Sequence, residues 1–141
     1  MDGDEAFGLD SPHFKLMDFI VPQGDDPTII KATRNCFTST NLQARLLHLG
    51  VRRLTITGVQ MEQCCATTTR IAADLGYAVD FVVDAILTFP IPNPDVSGEE
   101  LDVAAIKERT VFGLRRRFAR IVHTQELCTE LQELPLAVLP K

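Results

Sequence analysis

The fold is decided by residues 54–64, which read Leu54-Thr55-Ile56-Thr57-Gly58-Val59-Gln60-Met61-Glu62-Gln63-Cys64. Its β-branched residues predict a strand over 54–57, which is closed by Gly58. Cys64 then falls at the start of a predicted helix that runs to about Leu75 and stops at Gly76. A strand that feeds a helix through a glycine turn is typical of the carboxyl edge of an open α/β sheet, where functional sites form.

Strands and helices alternate on both sides of this segment. On its amino side, the β-branched run over 28–31 predicts a strand that ends at Lys31, and leucines at helical spacing predict a helix over 41–50. On its carboxyl side we predict a doubly buried strand over 77–83, a helix over 101–118, a strand over 119–123 and a short helix over 125–131. The alternation predicts an α/β fold with a three-layer, parallel sheet.

Length, composition and charge limit the class of protein. The 141 residues are enough for one domain, and we predict a single domain over 1–141 with residues 1–21 as a loose lead-in. The net charge of -5 disfavours nucleic acid as a partner, and no apolar run approaches the ~20 residues that cross a bilayer. The acidic amino terminus is unlike a signal peptide, so we expect a cytoplasmic protein whose cysteines are free thiols.

Cys64 is the candidate nucleophile. The free amides at a helix start favour a thiolate over a thiol by roughly 0.3–2 kcal/mol, and Lys31, at the end of another predicted strand, could add a cation. A free cysteine usually packs as a small hydrophobe and is not catalytic, and we assign no catalytic role to Cys36, Cys65 or Cys128. The histidines show no metal-binding spacing and no phosphate-binding loop occurs, so we expect neither metal nor cofactor.

Two further charged features have structural interpretations. Asp84 ends the buried strand near the presumed site, and we expect it to cap a loop. A basic group late in the predicted 101–118 helix and just after it suits the helix dipole, and we expect it to be solvated. Its members are Arg115, Arg116, Arg117 and Arg120.

Several motifs, in order, resemble those of the isochorismatase-like hydrolase superfamily. Gly24-Asp25 followed by Ile29-Ile30-Lys31 resembles the family's G-D-x-x-I-x-K, and Cys36-Phe37 followed by Thr40 resembles its S-A-F-x-x-T. The nucleophile motif G-V-x-T-x-x-C resembles the stretch over 58–64, and the later pieces resemble 74–85 and 118–124. The resemblance covers about residues 22–126, and it implies a Rossmann-like sheet shortened at the amino terminus.

The resemblance also implies roles for individual residues. Cys64 would be the nucleophile, Lys31 would polarise it, and the backbone amides of Gln60 and Cys64 would form the oxyanion hole. Phe37 and Val59 would line the substrate pocket, and a non-proline cis peptide would fall at Val59–Gln60. The implied reaction is hydrolysis of a C–N bond in a small-molecule amide or ureide through a thioester. The implied enzyme is therefore an amidohydrolase, and we expect a homo-oligomer.

One departure from the family pattern is large. The family's catalytic Asp, in a hydrophobic–D–x–Q pattern at the end of the first strand, has no counterpart in this sequence, and strands 1 and 2 of the family order 3-2-1-4-5-6 are missing with it. We expect an unusual dimer, a sheet in which the strands ending at Lys31 and Thr57 pair directly, or a fragment of a longer protein. The alternative function is a catalytically inactive member that acts as an oligomerisation or binding module. A third is a thiol redox sensor at Cys64 or Cys65.

Overall fold

The computed structural model describes residues 11–133 apart from 13 and 25. The central element is a parallel three-stranded sheet in the order β1-β2-β5, formed by Arg53–Val59, Ala78–Leu87 and Arg120–Val122. A second, antiparallel pair joins β3 (Ile91–Pro92) to β4 (Glu100–Leu101) within the proline-rich loop. The predicted α/β fold with a parallel sheet is confirmed.

In the described part of the chain, four α-helices connect and flank these strands. They are α1 (Leu42–His48), α2 (Ala66–Asp74), α3 (Val103–Leu114) and α4 (Thr124–Glu133). A π-helical turn over Met61–Cys65 precedes α2, so the helix predicted to begin near Cys64 starts three residues earlier and in a different hydrogen-bond register. Gly76, with φ of 90°, reverses the chain after α2 in a conformation that favours glycine.

The core lies mainly on one face of the sheet. Val79 to Val82 of β2 are all buried, which confirms the prediction of a strand covered on both faces. Val79 and Phe81 pack in one buried cluster with Ala72 of α2 and Leu114 of α3. The alternate residue Asp80 faces the other side, where α4 packs against β2. Helices therefore cover the sheet on both faces.

The prediction of a strand that ends at Lys31 is wrong. Within the part of the chain that the structure describes, residues 28–31 form no strand, and β1 pairs only with β2. High β-propensity reflects packing on a half-buried sheet, and Ile30 is instead exposed. The expectation that this segment pairs directly with the strand ending at Thr57 is therefore wrong as well. The dimer and the fragment remain predictions.

Two helix details also differ from expectation. The helix predicted over 101–118 ends at Leu114, and Arg116 follows it with a φ of 60°. Asn41 precedes α1 as expected, but its side chain makes no capping hydrogen bond. The first amide of α1, that of Leu42, instead donates to Thr40 Oγ1 at 3.1 Å. Asp102 caps α3 by accepting from the amide of Ala105 at 2.8 Å, and Asp84 accepts from the amide at the start of α4.

The predicted lead-in over 1–21 is described only in part. Its described residues carry no helix or strand, and residues 1–10 and 13 lie outside the described part. Among all described residues, no helix combines the length and the apolar character needed to cross a bilayer.

Candidate active site

The candidate site lies beyond the carboxyl end of β1. Gly58, with φ of 116°, interrupts the pairing with β2, whose register shifts between Ile56 and Gly58. The peptide bond between Val59 and Gln60 is cis, as the family resemblance predicts. The chain then enters the π-helical turn that holds Cys64, whose side chain is half-buried.

Lys31 reaches Cys64 from a distant part of the sequence. Its Nζ lies 3.6 Å from Cys64 Sγ and donates a hydrogen bond to the carbonyl oxygen of Thr33 at 2.9 Å. Although the segment is not a strand, local hydrogen bonds shape it: Ser39 Oγ accepts from the amide of Ala32 at 2.9 Å. The structure thus brings the two predicted catalytic side chains together by a loop instead of a strand. A thiol and an ammonium at this separation can form a thiolate–ammonium pair.

The predicted oxyanion-hole residues lie on the same turn. The carbonyl oxygen of Gln60 accepts hydrogen bonds from the amides of Gln63 at 3.3 Å and Cys65 at 3.1 Å. The Gln60 side chain also accepts from Gln63 Nε2 at 3.0 Å. These bonds fix the backbone between the cis peptide and Cys64. The role of the Gln60 and Cys64 amides remains a prediction.

The two predicted substrate-binding residues are placed differently. Val59 is the last residue of β1 and adjoins the cis peptide, beside the thiol-bearing turn. Phe37 instead packs on the core, where its ring stacks on Tyr77 with centroids 6.2 Å apart. Tyr77 precedes β2 at the amino end of the sheet, opposite to the edge that carries Cys64. The contact shown for Phe37 is thus a core contact, and its part in a substrate pocket stays a prediction.

The neighbouring Cys65 is chemically unlike Cys64. It is only 5% exposed, and its Sγ lies 3.9 Å from the carbonyl oxygen of Thr57. Burial raises the pKa of its thiol to about 12, and the adjacent Cys64 and Cys36 act in the same direction. Cys65 therefore stays protonated near neutral pH, as expected for a packed structural cysteine, and this weighs against it as a redox sensor.

One carboxylate of the nucleophile motif was missed by sequence analysis. Glu62 Oε2 accepts a hydrogen bond from Thr88 Oγ1 at 2.5 Å, and its Oε1 is buried with no partner among the described residues. Its signal was an acidic residue inside the motif, two positions before the thiol. Residues two apart on a helical turn project to nearly opposite sides. Glu62 accordingly contacts Thr88, the residue after β2, while Cys64 contacts Lys31.

Asp84, the other carboxylate near this edge, has a structural contact. It accepts hydrogen bonds from Thr124, from the backbone amide at 2.9 Å and from Oγ1 at 3.1 Å. These bonds, led by that of the amide, lower the pKa of Asp84. The expected capping role is confirmed, although the element that it caps is α4 and not a loop.

No metal site can be recognised among residues 11–133 outside positions 13 and 25. No three His, Cys, Asp or Glu side chains are grouped there in a way that could hold an ion. The absence of a metal and of a cofactor stays an expectation from the sequence.

Comparison with known proteins identifies the family. A family model described as the isochorismatase domain matches residues 2–126, a range that begins before the motifs at Pro22. The isochorismatase family protein YrdC of Bacillus subtilis is 27% identical over 117 residues, which is 83% of this chain and 62% of YrdC. Nicotinamidase 3 of Arabidopsis thaliana is 35% identical over 104 residues, which is 74% of this chain and 46% of that enzyme.

Solved structures show the same fold. A hydrolase of the isochorismatase family from Chromobacterium violaceum superposes with a TM-score of 0.84 at 21% identity, covering 95% of this chain and 68% of that one. The chain spans about half to three-fifths of the length of the two curated relatives described above. With the family match extending over most of its length, the chain belongs to the isochorismatase family.

Proposed function

We propose that this chain is a cysteine amidohydrolase that cleaves a C–N bond in a small amide or ureide. The observation that carries the proposal is the 3.6 Å separation between Lys31 Nζ and Cys64 Sγ at the carboxyl edge of the sheet. A thiolate is the reactive form of cysteine, and a neighbouring ammonium favours it. Among the relatives, the name Nicotinamidase 3 denotes a hydrolase of a small amide, which supports this substrate class.

The proposed reaction has two steps. The Cys64 thiolate attacks the substrate carbonyl carbon, and the electron pair of the C=O bond moves to oxygen, where the amides of Gln60 and Cys64 would stabilise it. The C–N bond then breaks, the nitrogen leaves with a proton, and a thioester remains on Cys64. Water hydrolyses the thioester to the acid and restores the thiol.

Proton transfer in both steps needs an acid–base group. Among the described residues, no carboxylate contacts Cys64 Sγ or Lys31 Nζ. The outer edge of β1 is unpaired in the described part, and it lies on the sheet beside this site. We therefore propose a homo-oligomer in which a second copy covers this edge and supplies the carboxylate.

The experiment is to measure ammonia release from a panel of small amides and ureides, with nicotinamide included. The wild-type chain, Cys64→Ala and Cys128→Ala are compared, since Cys128 is an exposed cysteine on α4 away from the site. Activity in wild type and Cys128→Ala but not in Cys64→Ala supports the proposal. Equal activity in all three chains contradicts it. A specific activity that falls on dilution, in step with dissociation by gel filtration, supports the shared site.

A second candidate function is a binding module without catalysis. The absence of a described carboxylate beside Cys64 favours it. It predicts that iodoacetamide modifies Cys64 no faster than the exposed Cys128 of the same chain. Faster modification of Cys64, measured by peptide mass spectrometry at several pH values, contradicts this candidate.

A further inference from the structure

Three cysteines gather around the start of α2. Cys64 and Cys65 lie in the π-helical turn, and Cys36 comes from the segment that also carries Lys31. Both Cys64 and Cys36 are half-buried, whereas Cys65 is buried. The charges of Cys64 and Cys36 both act on the thiol of Cys65.

The contacts of Cys36 place it beside the face of the helix that carries Cys64. Its backbone amide donates to Thr68 Oγ1 at 3.3 Å, and its Sγ accepts from the same hydroxyl at 3.6 Å. Thr68 lies one turn after Cys64, and residues four apart on a helix are neighbours on one face. Lys31, five residues before Cys36, contacts Cys64 directly. The segment from Lys31 to Cys36 therefore contacts both Cys64 and Thr68 near the start of α2.

The other cysteines are poorly suited to pair with Cys64. Cys65 is adjacent in sequence, and neighbouring residues on a helical turn direct their side chains about 100° apart. Cys128 is exposed on α4, on the opposite side of the sheet from α2. Cys36 belongs to a segment without helix or strand, which can adjust to the narrow geometry of a disulfide.

We propose that Cys36 is a resolving thiol for Cys64, so that peroxide converts the site into a reversible intrachain disulfide. The Cys64 thiolate attacks one oxygen of the peroxide, the O–O bond breaks, and Cys64 becomes a sulfenic acid while the peroxide leaves as an alcohol or water. The Cys36 sulfur then attacks the Cys64 sulfur, the S–O bond breaks, and water leaves with the thiol proton. A dithiol reductant restores both thiols.

This modification rests on one part of the proposed function, a reactive Cys64 beside Lys31, and not on amide hydrolysis. The disulfide would protect Cys64 from irreversible oxidation. A sulfenic acid that is captured by Cys36 cannot proceed to the irreversible sulfinic acid. The disulfide would also silence the nucleophile until it is reduced.

The test treats the reduced wild-type chain with hydrogen peroxide, blocks remaining thiols and maps disulfides by mass spectrometry. We expect a Cys36–Cys64 disulfide that is absent from Cys36→Ser and Cys64→Ser and retained in Cys128→Ser. In Cys36→Ser, continued peroxide should convert Cys64 to the sulfinic acid several-fold faster than in wild type, and reductant should not reverse it. Circular dichroism checks that each variant is folded.

Three outcomes overturn the proposal. They are a disulfide between other cysteines, equal rates of sulfinic acid formation in wild type and Cys36→Ser, and a Cys64 that resists peroxide. The alkylation rate of Cys64 separates this failure from that of the proposed function. Fast alkylation with no Cys36–Cys64 disulfide rejects the resolving role alone, whereas alkylation no faster than that of Cys128 rejects both.

Discussion

Two sets of polar side chains lie at opposite ends of β1 and β2, and their surroundings differ. At the carboxyl end, Lys31 contacts Cys64 through a single approach of 3.6 Å, from an irregular segment. At the amino end, Asp80 is fully buried and accepts from Arg120 Nε at 2.8 Å and from Arg53 Nη1 at 3.1 Å. The carboxyl end keeps the half-buried Cys64 thiol partly accessible, whereas the amino end pairs the buried Asp80 carboxylate with two arginines.

The amino-end network ties all three strands together. Arg53, Asp80 and Arg120 belong to β1, β2 and β5 respectively, and Arg120 forms two further bonds to Glu130 of α4, at 2.6 and 2.7 Å. Burial alone would raise the pKa of Asp80, but the hydrogen bonds from Arg120 and Arg53 offset it and lower that pKa. Paired charges of this kind fix strand register, because a shifted strand would leave Asp80 buried without a partner.

We infer from this comparison that the amino end of the sheet contributes stability, whereas the proposed chemistry depends on the carboxyl end. Removing a group at the amino end should cost stability and leave the thiol unchanged. Removing one at the carboxyl end should cost reactivity and leave stability nearly unchanged. The following variants test that separation.

The largest effect is expected for Cys64→Ala. Loss of the nucleophile should lower amide hydrolysis by more than about a thousandfold, because no other described thiol can take its place at the turn. The thermal midpoint should change little, since the Cys64 side chain is only half-buried. Ammonia release and differential scanning calorimetry measure the two effects. A variant that loses stability as well as activity would break the comparison.

Asp80→Asn should give the opposite result. The substitution weakens the bonds from two arginines to a buried acceptor, and we expect a loss of about 1–3 kcal/mol in the free energy of unfolding. The rate of Cys64 alkylation should stay that of the wild type at a temperature where both chains are folded. Urea unfolding followed by circular dichroism measures the first quantity. Glu130→Gln, which removes one exposed end of the network, should cost less.

The sequence predicted the periodic elements well and the network poorly. Leucines at helical spacing and the stop at Gly50 predicted α1, and the stop at Gly76 predicted the end of α2. Both kinds of signal are local in sequence, which is why they could be recognised. Asp80 went unnoticed within an apolar strand, since its partners lie 27 and 40 residues away. An acidic residue in a buried run, with an arginine in each neighbouring strand, was the signal available.

The site was predicted through family resemblance more than through local pattern. The pairing of Lys31 with Cys64 spans 33 positions, and no periodicity in the sequence relates them. The run over 28–31 has strand-like composition, yet pairing needs a neighbouring strand, and the described chain offers none there. The π-helical turn over Met61–Cys65 had no signal either, because π-helices are rare and no local sequence pattern marks them.

Lys31→Ala sharpens the comparison at the reactive end. A neighbouring ammonium favours the thiolate, which is the form of cysteine that reacts with iodoacetamide. We expect Lys31→Ala to lower the alkylation rate of Cys64 at neutral pH several-fold, measured by peptide mass spectrometry with Cys128 as the internal reference. Lys31→Arg, which keeps the positive charge, is the matched control, and its alkylation rate should fall less. An unchanged rate in Lys31→Ala would show that the contact does not activate Cys64.

The smallest effect is expected from acid. The pKa of Asp80 is lowered in the folded chain, so its contribution to stability is complete above the unfolded value of about 4 and is lost as pH falls through the lower, folded value. Wild-type stability should therefore decline below about pH 4, by less than about 1.4 kcal/mol per pH unit for this one proton. The same urea titrations on Asp80→Asn should show a shallower decline. Equal declines in the stability of wild type and Asp80→Asn would assign the acid sensitivity to Asp84 and Glu130, whose pKa values are also lowered. The Asp80 side chain would then stabilise the sheet by packing and not by its charge.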